Sequence, residues 1–197
     1  MKIFLIESVA ATPHLETSGE IAIRLKKEGH DVSFYYIGNN LPWNDWDLTF
    51  IAKFLGGSFD EKIIKFCELL KKNKIKIGDN NIKVNKEKVY NWSKKFDGNL
   101  EQLKKYKYDG SILGSSVASS LISQVHDVNV DVENNINKVS NLLYSSALIY
   151  ERCKKLIIKN RPDKIFTFNN RFATTYPIIC AAKKLKINIC IHERGSD

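Results

Sequence analysis

The chain opens on a short apolar run, KIFLIE at 2–7, which gives way to a polar loop. Such a run marks a strand buried on both faces of a parallel sheet. From 15 to 28 the apolar positions recur at helical spacing and stop at Gly29, a residue suited to the position just past a helix. DVSFYYI at 31–37 is rich in β-branched and aromatic side chains and predicts a second strand. A right-handed crossover makes the two strands parallel neighbours. Residues 38–47 read as a loop carrying Pro42, Trp43 and Trp46.

The middle has a different texture. Residues 47–73 are helical in pattern, with a break at Gly56-Gly57. The segments 74–77 and 82–85 flank Gly78-Asp79-Asn80-Asn81 and predict a β-hairpin. A polar helical stretch follows over 86–105. Residues from about 50 to 105 are therefore expected to be a helical and β-hairpin elaboration on an α/β core.

Beyond Asp109-Gly110 a helix of small residues runs to 124, and a long helix covers 131–159. Ile136, Val139, Leu142, Leu143, Leu148 and Ile149 mark the apolar side of the long helix. Pro162 forbids its continuation. KIFTF at 164–168 is a strand, Asn169-Asn170-Arg171 a tight turn into a helix over 171–184, and INICI at 187–191 a last strand. The order βαβ…αβαβ predicts an α/β fold, a Rossmann-like doubly wound parallel sheet with helices on both faces, as one domain over 1–197. The last strand is expected near the sheet centre. A central strand needs cover on both faces, so the chain is expected to be the N-terminal domain of a longer protein.

Composition changes this picture little. The 31 Lys and Arg against 22 Asp and Glu give a net charge of +9, which favours anionic partners or a membrane face. A Lys, Asn and Ile bias is also what an AT-rich genome produces. The lysines are scattered and form no aromatic-basic module, so nucleic acid is not the expected partner. Cys67, Cys153, Cys180 and Cys190 form no CxxC pair, and the histidines complete no zinc spacing, so free thiols and no metal are expected. The N-terminal apolar run is too short for a signal peptide or a span. A cytoplasmic protein is expected, with peripheral contact at the inner membrane face left open.

Candidate chemistry collects at one predicted edge, outside the carboxyl ends of the strands, where open α/β sheets bind ligands. The first loop carries no GxGxxG, which argues against a dinucleotide site. It holds a Thr12-Pro13 cap pair and a Thr17-x-x-Glu20 capping box, which disagree on where the helix starts. His14 and Glu16 are not needed for capping, which makes them site candidates beside Gly19. Asn169, Asn170 and Arg171 follow the third core strand. A cation in a first helical turn opposes the macrodipole, so Arg171 is expected to meet an anion or a carboxylate such as Glu193. Glu193, Arg194 and Ser196 follow the last strand, and His192 shares the inward parity of Cys190. Trp43 and Trp46 are read first as packing for their loop, with sugar stacking as the alternative.

Four segments carry a resemblance: ESVAATPHLETSGEIAIRLKKEGHDVSFYYIG, YDGSILGSSVASSL, RPDKIFTFNNRFATTYPIICAAKK and IHERGSD. Together they resemble the N-terminal half of a two-domain GT-B glycosyltransferase, most closely the bacterial transferases of capsule and surface-polysaccharide biosynthesis. That family commonly has an Asn-Gly-Arg turn, an alanine-rich helix, a strand and then His-Glu-Arg-Gly. Asn170 stands here in place of the glycine, and asparagine tolerates the left-handed backbone better than most residues.

The resemblance implies an acceptor-binding domain for a saccharide or glycolipid. The nucleotide-sugar would bind mainly a C-terminal domain absent from these 197 residues, with no other cofactor. It implies Glu193 or His14 as the general base, and Glu16, Gly19, Asn169, Asn170, Arg171, Arg194 and Ser196 as substrate contacts. A nucleotide-sugar 2-epimerase-like enzyme and a non-catalytic anion- or partner-binding α/β module remain as alternatives.

Overall fold

The computed structural model describes residues 1–45, 59–79 and 81–193. Among them are β1 (Lys2–Glu7), α1 (His14–Lys27), β2 (Asp31–Tyr36), α2 (Phe59–Lys72), β3 (Lys76–Ile77) and α3 (Lys86–Ser93). Then come α4 (Leu100–Lys105), α5 (Gly114–Val125), α6 (Ile136–Asn160), β4 (Lys164–Phe168), α7 (Tyr176–Lys184) and β5 (Asn188–His192). The five strands form one all-parallel sheet in the order β3-β2-β1-β4-β5. Together with the seven helices this is an α/β architecture of Rossmann-like type.

β1 lies at the centre and sends alternate side chains to opposite faces, as a pleated strand must. Phe4 and Ile6 join Ile165 of β4 and Leu148, Ile149, Cys153 and Ile157 of α6 in one core. Leu5 joins Phe34 and Tyr36 of β2 with Leu15 and Ala22 of α1 and Leu70 of α2 in the other. Helices thus cover both faces of the sheet. A third cluster sits beside the sheet, where Leu103, Val117, Leu121, Leu142 and Leu143 pack α4, α5 and the first half of α6 together. Free thiols occur at all four cysteines, and burial pushes the Cys153 thiol up, as befits a residue that only packs. No helix among the described residues is long and apolar enough to cross a membrane.

Several expectations need correction. The hairpin over 74–85 does not form. Residues 76–77 instead join the main sheet as β3, parallel to β2, with Ser33 facing Lys76 and Phe34 facing Ile77. Residues 82–85 are not a strand. The polar stretch 86–105 is two helices, because Asn99 and Gln102 form a capping box that starts α4 afresh. The long helix begins at Ile136, not 131.

Neither proposed cap starts α1. Pro13 occupies the cap position, Thr12 Oγ1 donates to Glu16 Oε1 at 3.2 Å, and Thr17 Oγ1 turns back to the Pro13 carbonyl at 3.1 Å. The helix after β4 begins at Tyr176 with Pro177 in its first turn, five residues later than expected. INICI lies at the sheet edge, beside β4 alone, and not near the centre. The Gly56-Gly57 break and Trp46 lie outside the described residues.

Gly38 marks the closest approach between the loops that leave β1 and β2. A Cβ there would stand 2.1 Å from the Ser8 carbonyl oxygen, a backbone atom that has nowhere to go. Gly38→Ala is expected to cost about 2 kcal/mol, the scale of core overpacking, read as a lower urea midpoint. An unchanged midpoint would show that the two loops separate freely.

Candidate functional site

The strand order reverses between β1 and β4, and three side chains line up there across the α1 face of the sheet. Leu5 pairs with Phe166, so Glu7 and Phe168, two residues on, stand side by side, and Phe168 pairs in turn with His192 of β5. Helix α1 lies over this row with His14 and Ser18 one turn apart. The His14 ring stacks on Phe168, with centroids 3.7 Å apart and planes 21° from parallel.

Glu7 is 2% exposed and Ser18 is fully buried. Ser18 Oγ donates to Glu7 Oε1 at 2.6 Å, and Phe168 N–H donates to Glu7 Oε2 at 3.3 Å. His192 Nε2 lies 2.9 Å from Ser18 Oγ and 3.1 Å from Glu7 Oε1. Serine and carboxylate meet the same ring nitrogen, so this is a positioning cluster and not a nucleophile relay, which needs them on opposite nitrogens.

One residue beyond the row lies the rim. Asn169 adopts the left-handed backbone, φ 57°, and is 4% exposed. Its Oδ1 accepts from Arg171 N–H at 2.6 Å, closing an Asx turn, while its Nδ2 donates to Glu193 Oε1 at 3.0 Å. Its backbone N–H donates to the His192 carbonyl at 3.1 Å, extending the β4–β5 ladder by one bond. Glu193 is exposed, so the amide holds one carboxylate oxygen at the edge of solvent.

The turn between β4 and α7 is pinned from two sides. Ser120 of α5 accepts from Ala173 N–H at 2.8 Å, and Asp45 Oδ2 accepts from both Thr174 N–H and Thr174 Oγ1, at 2.9 and 2.8 Å. Ser8 Oγ donates to the Thr174 carbonyl, and Asn44 Nδ2 donates to the Ser8 carbonyl at 3.4 Å. Gly114 at the start of α5 lets that helix close on α4, since a Cβ there would stand 1.9 Å from the Leu103 carbonyl oxygen. Thus all four strand-end segments meet at one edge, as their sequences predict.

Individual residues differ from expectation. It is Asn169, not Asn170, that takes the left-handed backbone, and Asn170 is exposed. Arg171 lies ahead of α7 and outside its first turn, and it does not meet Glu193. Its Nε donates to Ser119 Oγ at 3.2 Å and its guanidinium lies over the Phe172 ring at 5.2 Å. Glu16 turns towards α2, with its carboxylate 3.4 Å from Lys62 Nζ. Gly19 answers a steric demand, since a Cβ there would stand 2.7 Å from Phe66 Cε2. His192 does point inward, as its parity with Cys190 predicts. Trp43 packs into the third cluster and its backbone N–H donates to Ser145 Oγ at 3.0 Å. Arg194 and Ser196 lie outside the described residues.

Glu7, Ser18, Phe168, Asp45 and Thr174 escaped the sequence reading. The signal for Glu7 was present: a carboxylate at the end of a buried strand, on the parity of Leu5. The others gave none, because their role depends on contacts distant in sequence. No group of three or more His, Cys, Asp or Glu among the described residues is placed to hold a metal ion. No family model matches the chain, and neither a curated protein nor a solved structure was found to be significantly similar to it.

Burial pushes the Asp45 carboxyl up, outweighing the Thr174 and Ser120 hydrogen bonds that pull it down. With the folded pKa above the unfolded value, the native state binds more protons, so stability falls as pH rises from about 3.8 through the raised value. Asp45→Asn removes that loss while keeping an acceptor for Thr174. The variant is expected to gain in melting temperature relative to the parent at pH 7 compared with pH 3.5. An equal difference at both pH values would exclude Asp45 as the titrating group.

Proposed function

We propose that this chain is the acceptor-binding domain of a glycosyltransferase, with the GT-B arrangement in which a second domain holds the nucleotide-sugar. The observation that carries the reading is the meeting of all four strand-end segments where the strand order reverses, beside the exposed Glu193 and the His14–Phe168 stack. A saccharide needs a flat apolar face, fixed polar groups and a base for its hydroxyl. The half-buried His14 ring, seated on the buried Phe168, offers the first. The exposed Arg171 guanidinium and the exposed Glu193 carboxylate, the latter held by the Asn169 amide, offer the second.

Proton removal from the acceptor hydroxyl falls to Glu193 or His14. Glu193 is at the rim, its geometry set by Asn169, and its second oxygen accepts no hydrogen bond from a described residue. His14 brings a ring nitrogen to the same edge. The buried Glu7–Ser18–His192 cluster acts through position. It fixes the end of β5, from which Glu193 follows, against β1 and α1. The GT-B arrangement, the saccharide acceptor and the transferase activity rest on the resemblance of the four motifs together with this convergence.

Two measurements test the reading. Amide NMR of this chain, titrated with neutral and anionic oligosaccharides, is expected to show shifts confined to the edge around Phe168, Asn169 and Arg171. Shifts elsewhere, or none with any saccharide, would end the acceptor assignment. In the whole enzyme, Glu193→Gln is expected to lower turnover by about a hundredfold, the scale of a lost general base, with folding intact. Unchanged turnover there, with a loss in His14→Phe, would move the base to His14.

A further inference from the structure

A polar cavity opens at the end of β2, away from the Asn169–Glu193 rim. Its volume is about 720 Å³, and Asn39, Asn40, Asp79, Lys83, Lys86 and Arg152 contribute to its walls. A neighbouring cavity of about 420 Å³ continues from Asp79 and Lys83 along α6, past Lys155 and Lys159. The 79–86 segment is tied to the helix by Lys155, whose Nζ donates to the Lys83 carbonyl at 2.7 Å.

Arg152 is the unusual member. It is 7% exposed, yet no described carboxylate pairs with it. Its Nη1 donates to the Ile37 and Asn39 carbonyls at 2.8 and 2.7 Å, holding the chain as it leaves β2. Those neutral acceptors occupy one corner of the guanidinium. Nε and Nη2 hydrogen-bond to no described group, and they form the side of the guanidinium that presents two parallel N–H donors. A buried charge is costly without an opposite charge. Lys83 and Lys86 are exposed and make no ion pair with any described residue. Asp79, the one carboxylate in the wall, accepts from Asn81 N–H at 2.8 Å.

We propose that this cavity binds the phosphate or diphosphate group of a soluble ester, gripped by the Nε–Nη2 fork of Arg152 and by the ammonium groups of Lys83 and Lys86. A tetrahedral oxyanion matches the paired donors of the fork. Arg152, Lys83 and Lys86 against Asp79 leave two positive charges in the wall, which a doubly charged phosphate answers and a single carboxylate does not. The walls of the larger cavity are mostly polar, which favours the head of a soluble ester over an apolar tail. The site stands whether or not the Asn169–Glu193 rim binds a saccharide, because the two share no residue.

The test is calorimetric titration of the chain with inorganic pyrophosphate at low ionic strength. Arg152 also holds two carbonyls, so the exposed lysines carry the comparison. Saturable binding at one site is expected, weakened about tenfold in Lys83→Ala/Lys86→Ala, the scale of losing charge-assisted hydrogen bonds. Lys183→Ala/Lys186→Ala removes the same charge from exposed positions at the β5 edge and is expected to leave the affinity unchanged. Absence of saturable binding, full affinity in Lys83→Ala/Lys86→Ala, or an equal loss in both double variants would overturn the proposal. The last result would reduce the binding to general attraction by a basic protein.

Discussion

A carboxylate buried at the end of the central strand constrains everything around it. Glu7 cannot leave its oxygens unsatisfied without a cost of several kcal/mol, and its partners come from three other elements. β4 supplies the Phe168 amide, α1 the Ser18 hydroxyl, and β5 the His192 ring. One side chain therefore fixes how far each element extends towards the ligand edge. It also fixes where the next residues must lie, and those are Asn169 and Glu193. The sheet beneath would hold without Glu7, because β1 is buried on both faces by hydrocarbon. The alignment of strand ends would not.

The rim depends on this alignment in a simple way. Asn169 bonds backbone to backbone with His192 and side chain to side chain with Glu193. Both bonds need β4 and β5 to end level. The left-handed backbone at Asn169 then turns the chain out of the sheet, and the Asx bond to Arg171 holds that turn. Asp45 and Ser120 secure the residues beyond it. An exposed carboxylate at a strand end is ordinarily mobile; here its position is inherited from Asn169 and, through His192, from the buried Glu7.

Much of this was legible in the residues, and the gaps have physical causes. β1, β2 and β4 are apolar or β-branched runs whose length and parity need no distant information, and they appear within a residue of their expected bounds. The edge location of the chemistry followed from parallel topology alone. β3 did not, because the 74–77 segment contains nothing that chooses between a local hairpin and a distant strand. Gly78 makes the choice: its N–H donates to the Phe34 carbonyl at 2.8 Å, and it leaves room for the Tyr35 ring. Two misplaced boundaries were readable after all. Pro177 marks the first turn of α7 and Asn99 with Gln102 marks the start of α4, but helical pattern on either side obscured both. The choice of Asn169 over Asn170 for the left-handed position turns on the Glu193 contact, which no local pattern contains.

Helix α6 is 25 residues long, about 37 Å from end to end at the usual rise. Its first half is embedded with α4 and α5 in the cluster beside the sheet, and its second half is embedded against β1 and β4. A rigid rod shared by two cores leaves neither one free to melt alone. Loosening around Leu103 or Leu121 would tilt the rod and open the packing at Phe4 and Ile165. The elaboration and the sheet are thereby joined into one cooperative unit, whose parts gain or lose order together.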